Sequence, residues 1–245
     1  MKIVGIIPAR YGSTRLEGKP LKDICGKPMI EHVYRAAQGA KLLDQVYVAT
    51  DDQRIVDAVN HFGGNVRMTS PDHKTGTDRI AEVASTLEAE IVVNLQGDEP
   101  LLNPAMIDEV IQPLVDESDL PMSTLCVPIH EEAALNDPNV VKAVFDQRGY
   151  ALYFSRALIP YPRKLDNFQA YEHLGLYAYR KDFLMTYITL PQTRLEINES
   201  LEQLRVLESG YRLKVMVSAH PYAGISVDTP EDLERVRQIV QAQLG

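Results

Sequence analysis

The chain has 245 residues, 45% of them hydrophobic and 24% charged, with a formal net charge of −9. That composition is ordinary for a soluble globular protein with a full core, arranged as one large domain or two small ones. The negative charge argues against a general nucleic-acid binder, which needs a basic face, and Cys25 and Cys126, in no paired spacing, argue against a disulfide framework or a zinc site.

The first apolar run, within MKIVGIIPARYG, spans about five residues before Pro8 and Arg10, too short for the core of a signal peptide. No stretch reaches the roughly 20 apolar residues of a membrane span. A soluble, cytoplasmic protein is expected. Short apolar runs rich in β-formers then alternate with helical periodicity. Strands are predicted at Lys2–Ile7, Gln45–Ala49, Asn65–Met68, Glu90–Leu95, Met122–Val127 and Val140–Phe145, with helices near Met29–Ala40, Gln53–Phe62, Asp78–Leu87 and Pro104–Asp116. Several strands are apolar on both faces, as strands covered by helices on two sides must be. The alternation predicts a three-layer α/β domain with a mostly parallel sheet.

From Gly149 the texture changes to a tyrosine-rich stretch interrupted by prolines, read as strands plus an excursion over about 155–190 within a single domain. A helix near Ser200–Ser209, a strand near Leu213–Ser218 and a final helix follow. That last helix has a marked start: Thr229 as N-cap, Pro230 at the first helical position, and Glu231 and Asp232 in the first turn. Leu233, Val236, Val240 and Leu244 mark one face.

Chemistry concentrates in IIPARYGSTRLEGKPL, residues 6–21. A strand ends at Ile7, and the loop after it carries Arg10, Arg15 and Lys19 among Gly12, Ser13, Thr14 and Gly18. Ligands of open α/β sheets bind at such strand ends. Small residues let backbone N–H groups approach phosphate oxygens while the cations neutralise them. The loop is not a Walker loop: five residues separate Gly12 from Gly18, and Lys19 is followed by Pro20, which offers neither hydroxyl nor N–H. A solvated basic loop is the plain alternative. NLQGDEP (94–100) follows an apolar strand, and a carboxylate just past a strand end suits a magnesium ion beside a phosphate, although Asp98 could equally start a turn. Asp228, just before the cap Thr229, is electrostatically placed at a helix N-terminus. DHKTGTDR precedes a helix, so Gly76, Thr77 and Arg79 could meet a ligand or simply begin that helix. Asp51 and Asp52 suffice as helix-starting acids. Cys25 has no partner to make it a nucleophile, and Ser155 lies in no hydrolase elbow.

Residues 6–21 resemble the signature loop of the 3-deoxy-manno-octulosonate (Kdo) cytidylyltransferases, the CMP-Kdo synthetases. The resemblance continues in order through GKPMI (26–30), DHKTGTDRIAEV (72–83), NLQGDEP (94–100), GYALYFSRA (149–157), HLGLYAY (173–179), LEQLRVLESG (201–210) and VDTPEDLERV (227–236). One such motif is weak; the ordered set is specific. The resemblance implies a Rossmann-like nucleotidyltransferase fold with a mixed, mostly parallel central sheet, Mg²⁺, CTP, a Kdo-type sugar acid, a homodimer contacted through the excursion, and a place in lipopolysaccharide biosynthesis, with no nucleic-acid or membrane partner. It assigns Asp98 and Asp228 to the metal, and Arg10, Arg15 and Lys19 to charge neutralisation in catalysis. Arg10, Ser13, Lys19, Gly76, Thr77, Arg79 and Gln96 go to the nucleotide. Arg156, His173, Tyr177, Glu202 and Gln203 go to the sugar. Glu17 departs from the proline usual in the family and adds a negative charge to the loop. The alternatives are the same chemistry on 8-amino-Kdo or a sialic-acid-like sugar, and a non-catalytic nucleotide or sugar sensor.

Overall fold

Ile3–Ala9 becomes β1 because it has apolar side chains to offer on both faces: Val4, Ile6 and Ile7 are completely buried. In the computed structural model, which describes residues 1–12, 16–166, 168–222 and 225–244, the chain folds into two compact units. The first comprises Met1–Asp108 and His220–Gly245, and the second Glu109–Ala219.

In the first unit β1 leads through a 3-10 turn at Lys19–Leu21 to a small ribbon, β2 (Asp23–Ile24) and β3 (Lys27–Pro28). Then come α1 (Met29–Gln38), β4 (Gln45–Thr50), α2 (Gln53–His61), β5 (Val66–Met68), α3 (Gly76–Ser85) and β6 (Ile91–Asn94). Strand β1 pairs in parallel with β4 on one side and β6 on the other, and β4 pairs in parallel with β5. Parallel strands need helical crossovers, which α1, α2 and α3 supply. The predicted strands here differ from the observed ones by a residue or two at their ends.

Helix α4 (Pro104–Asp116) carries the chain into the second unit. There β7 (Met122–Pro128), α5 (Glu132–Asn136), β8 (Lys142–Phe145), β9 (Ala151–Ser155), β10 (Tyr171–Arg180), α6 (Lys181–Tyr187), α7 (Arg194–Glu199), α8 (Leu204–Glu208) and β11 (Lys214–Val217) follow. β7 runs parallel to β11 and antiparallel to β10; β8 is antiparallel to both β10 and β9. The strands therefore form the mixed, mostly parallel α/β arrangement expected. A register shift in β10 between Leu174 and Tyr177 lets Thr124 of β7 bond to the Leu174 and Leu176 carbonyls. The helix predicted near Ser200–Ser209 forms as the shorter α8, and α7, which precedes it, is not among the predicted elements. Ser200 adopts a left-handed φ of 52° and closes α7 before α8 begins.

The chain returns to the first unit for α9 (Pro230–Leu244). Its buried face, Leu233, Val236 and Val240, packs with Leu16, Ile24, Met29, Ile225 and Val227. Burying each such side chain contributes about 1.5–3 kcal/mol, enough to anchor the last helix beside the loop after β1. No helix among the described residues is long and apolar enough to cross a membrane.

Candidate active site

Three segments far apart in sequence meet in the first unit. Gly18 takes a left-handed φ of 65° and its N–H donates to the Tyr11 carbonyl at 3.0 Å, turning the chain into the 3-10 turn that begins with Lys19. After β6, Gly97 passes so close to the end of β1 that a Cβ there would lie 2.9 Å from the Pro8 carbonyl oxygen. Only glycine permits that approach, which sets Asp98 next to the loop after β1. From the far end of the chain, the Val227 N–H donates to the Asp98 carbonyl at 2.9 Å, bringing Asp228 alongside.

Asp228 is then held by the start of α9. The Asp232 carboxylate accepts from the backbone N–H groups of Asp228 and Thr229 at 3.1 and 2.9 Å, and the Thr229 hydroxyl accepts from Asp232 N–H at 3.2 Å. This reciprocal cap satisfies helix-start donors and fixes the backbone carrying Asp228. The outcome is a pair of carboxylates bridged by one ammonium: Lys19 Nζ lies 2.9 Å from Asp98 Oδ2 and 3.1 Å from Asp228 Oδ1. All three side chains keep some exposure, at 16, 27 and 34% respectively, so a ligand from solvent can reach them.

Two hard carboxylate oxygens converging on one cation form a donor set that fits magnesium, which binds through one or two carboxylates and retains several waters. The Lys19 ammonium is the stand-in ion for that fit. Among the described residues no cluster of three or more His, Cys, Asp and Glu side chains assembles, so the pair itself is the candidate metal site. Glu99, in the same loop, accepts from the Tyr222 hydroxyl at 3.4 Å.

Around this pair, Arg10 at the end of β1 donates through Nη2 to the His73 carbonyl. The His73 ring bonds Glu82 of α3, and Glu82 also accepts from the Ser70 N–H at 3.0 Å. These bonds, the one to His73 foremost, hold the Glu82 carboxyl below the usual carboxylate range. The loop before α3 is thus tied to both Arg10 and α3, a role for His73 and Glu82 that their spacing alone does not announce. Helix α3 starts at Gly76, two residues earlier than predicted, because Thr75 and Asp78 form a capping box. Gly76 and Thr77 therefore occupy the first turn of α3.

Arg79 is fully buried. Its guanidinium bonds Thr69 and, at 2.7 Å, Asp51, so it braces β4 and β5 from inside. Asp52 caps α2 by accepting from the Arg54 N–H. Gln96 stands half-buried just after β6. Ser13 and Arg15 lie outside the described residues.

The residues assigned to the sugar all belong to the second unit. His173 and Tyr177 lie on β10 on either side of its register shift, with ring centroids 5.5 Å apart. The Tyr177 hydroxyl donates to Gln203 Oε1 at 3.2 Å, and the Gln203 amide reaches His173 Nδ1 at 3.5 Å. On the other side His173 Nε2 meets Thr124 Oγ1 at 3.0 Å. The Thr124 hydroxyl hydrogen serves the Leu174 or Leu176 carbonyl. The bonds agree with a neutral imidazole protonated on Nε2, assigned from the network. Burial pushes this imidazole down to about 3, keeping it neutral at ordinary pH.

Thr124 is thus an orienting residue that only tertiary pairing reveals. Glu202 is exposed beside buried Gln203, and its carbonyl accepts from the Tyr187 hydroxyl at 3.1 Å. The Arg156 guanidinium bonds the carbonyls of Pro138, Glu199 and Ser200 and so clamps the end of α7. Ser155 donates to Glu199 Oε1 at 2.7 Å.

Comparison with known proteins gives a consistent picture. The family pattern described as cytidylyltransferase matches residues 4–215. A 3-deoxy-manno-octulosonate cytidylyltransferase of Geobacter sulfurreducens is 54% identical, over 96% of this chain and 98% of that one. One of the same name from Solibacter usitatus is 51% identical, over 99% and 96%. A solved CMP:2-keto-3-deoxy-manno-octonic acid synthetase complexed with CTP superposes with a TM-score of 0.95 at 47% identity, covering 99% of this chain and all of that one.

Proposed function

The chain belongs to the cytidylyltransferase family, and from that premise we infer that it transfers CMP from CTP to the anomeric hydroxyl of Kdo, giving CMP-Kdo and pyrophosphate. Relatives at half identity over nearly the whole chain carry this activity in their names. The structural observation that carries the mechanism is the convergence of Asp98 and Asp228 on one cation.

The reaction is an in-line displacement at the α-phosphorus of CTP, in which the bond to the sugar oxygen forms as the bond to pyrophosphate breaks. Transfers of this kind depend on positioning and charge neutralisation more than on covalent catalysis. Asp98 and Asp228 would hold Mg²⁺, and the ion would supply charge neutralisation at the α-phosphate and a lower pKa for the attacking hydroxyl. Arg10, Arg15 and Lys19 neutralise the triphosphate and the charge that builds on the leaving pyrophosphate. The loop around Gly76 and Thr77, with Ser13 and Gln96, receives the nucleotide, and Arg79 supports it from within. His173, Tyr177, Glu202, Gln203 and Arg156 receive the sugar acid, with neutral His173 and the Gln203 amide as hydrogen-bonding groups for its hydroxyls.

On this basis the protein works in the cytoplasm as a homodimer, the segment 155–190 contributes to the dimer contact, and the product feeds lipopolysaccharide biosynthesis. The test is ³¹P NMR of the products from CTP, UTP or ATP with Kdo or 8-amino-Kdo. A CMP-sugar phosphodiester and pyrophosphate from CTP and Kdo are expected. A product only with the amino sugar would replace the substrate, and none with any sugar acid would refute the transfer.

A further inference from the structure

We propose that Lys19 is a built-in competitor of the metal ion, whose ammonium holds the Asp98–Asp228 pair until nucleotide phosphate draws it away, so that metal and nucleotide bind cooperatively. This rests on the assignment of that pair to the metal. Two carboxylates brought side by side by the Val227–Asp98 backbone bond repel each other unless a cation lies between them. The cation in place is Lys19 Nζ, at hydrogen-bond distance from one oxygen of each. A metal ion arriving alone must displace it from those oxygens and strand an ammonium beside a divalent cation, which is costly.

A nucleotide changes the balance. Lysine is a compact charge on a flexible four-carbon stem, able to turn its donors from carboxylate to phosphate while its backbone stays fixed. Lys19 is the first residue of the turn set by Gly18, so only its side chain needs to move. A phosphate group offers the ammonium a new partner, and the vacated carboxylate oxygens accept the metal. Each ligand then raises the affinity for the other by the same factor, as linkage requires. The device would keep the pair from taking up divalent ions before CTP is present.

The experiment is Mn²⁺ binding to the full chain, first without nucleotide and then with CTP, followed by electron paramagnetic resonance of the free ion. Wild type, Lys19→Met, Lys19→Arg and Asp98→Asn are compared, with folding checked by circular dichroism. Lys19→Met is expected to bind Mn²⁺ at least about tenfold more tightly than wild type, a change of about 1.4 kcal/mol. Lys19→Arg, which keeps the charge, should gain much less. Equal or weaker Mn²⁺ binding by Lys19→Met, with Asp98→Asn still abolishing it, would overturn the competition and leave the metal site standing. Mn²⁺ binding that Asp98→Asn leaves unchanged, with and without CTP, would remove the metal assignment itself and the inference with it.

Discussion

The Val227 N–H donates to the Asp98 carbonyl at 2.9 Å, so one backbone hydrogen bond joins the segment after β6 to the segment before α9. The two carboxylates assigned to the metal stand beside that tie, in chain positions 130 apart, and the Thr229–Asp232 cap of α9 steadies the Asp228 side of it.

Asp98→Asn keeps the shape of the side chain and removes half the charge of the pair. Turnover should fall by about a hundredfold or more, the scale for losing one strong electrostatic element. The thermal midpoint should change little, because Asp98 is partly exposed. Steady-state kinetics at saturating Mg²⁺ measure the first, and calorimetry the second. Activity within a few-fold of wild type would rule out its metal role.

Thr229→Ala removes the cap of α9 that also steadies Asp228. The expected loss of stability is about 1 kcal/mol. If the cap aims the carboxylate, the Mg²⁺ concentration for half-maximal rate should rise as well, and a titration of rate against Mg²⁺ reads this directly. A stability loss with an unchanged Mg²⁺ requirement would confine Thr229 to the helix.

Gly97→Ala forces a Cβ to within 2.9 Å of the Pro8 carbonyl oxygen, a backbone atom that cannot swing aside. Overpacking of this kind costs about 1–3 kcal/mol. Because the strain falls between β1 and the Asp98 loop, activity should drop more steeply than denaturant stability. Wild-type rates in a folded Gly97→Ala protein would show that the close approach is not needed for function.

His173 carries a pH signature. Its imidazole, ordinarily near 6.5, is lowered to about 3 by burial. Below pH 6.5 the unfolded chain takes up a proton that the folded ring refuses until about pH 3. This group's contribution is therefore intact above pH 6.5 and lost progressively as pH falls. Between pH 6.5 and 5 the loss from this residue is about 2 kcal/mol. His173→Gln, which preserves hydrogen bonding, should lower stability at pH 7.5 but flatten its decline toward pH 5. Urea melts at several pH values distinguish this from parallel curves, which would exclude His173 as the titrating group.

Much of the fold is legible in the residues themselves. The Thr229-Pro230-Glu231-Asp232 start of α9 and the apolar strands β1, β4 and β6 are local signals, set by capping chemistry and two-faced burial. The loop cations and Asp98 are legible as types placed after strand ends. What local pattern does not reveal is which partner each finds. Arg79 looks available to a ligand, yet a buried guanidinium must be paired, and Asp51 and Thr69, just past the ends of β4 and β5, supply that pairing. The end of α7, and with it the late start of α8, depends on a single left-handed residue, Ser200. Thr124 beside His173 emerges only once β7 and β10 are in register.

The most direct test of the account is pyrophosphate release from CTP and Kdo by the wild-type protein as Mg²⁺ is titrated and then removed with EDTA. Release should require CTP, Kdo and the metal together, saturate with Mg²⁺, and stop on chelation. Release at an undiminished rate in EDTA, or none with all three present, would contradict it.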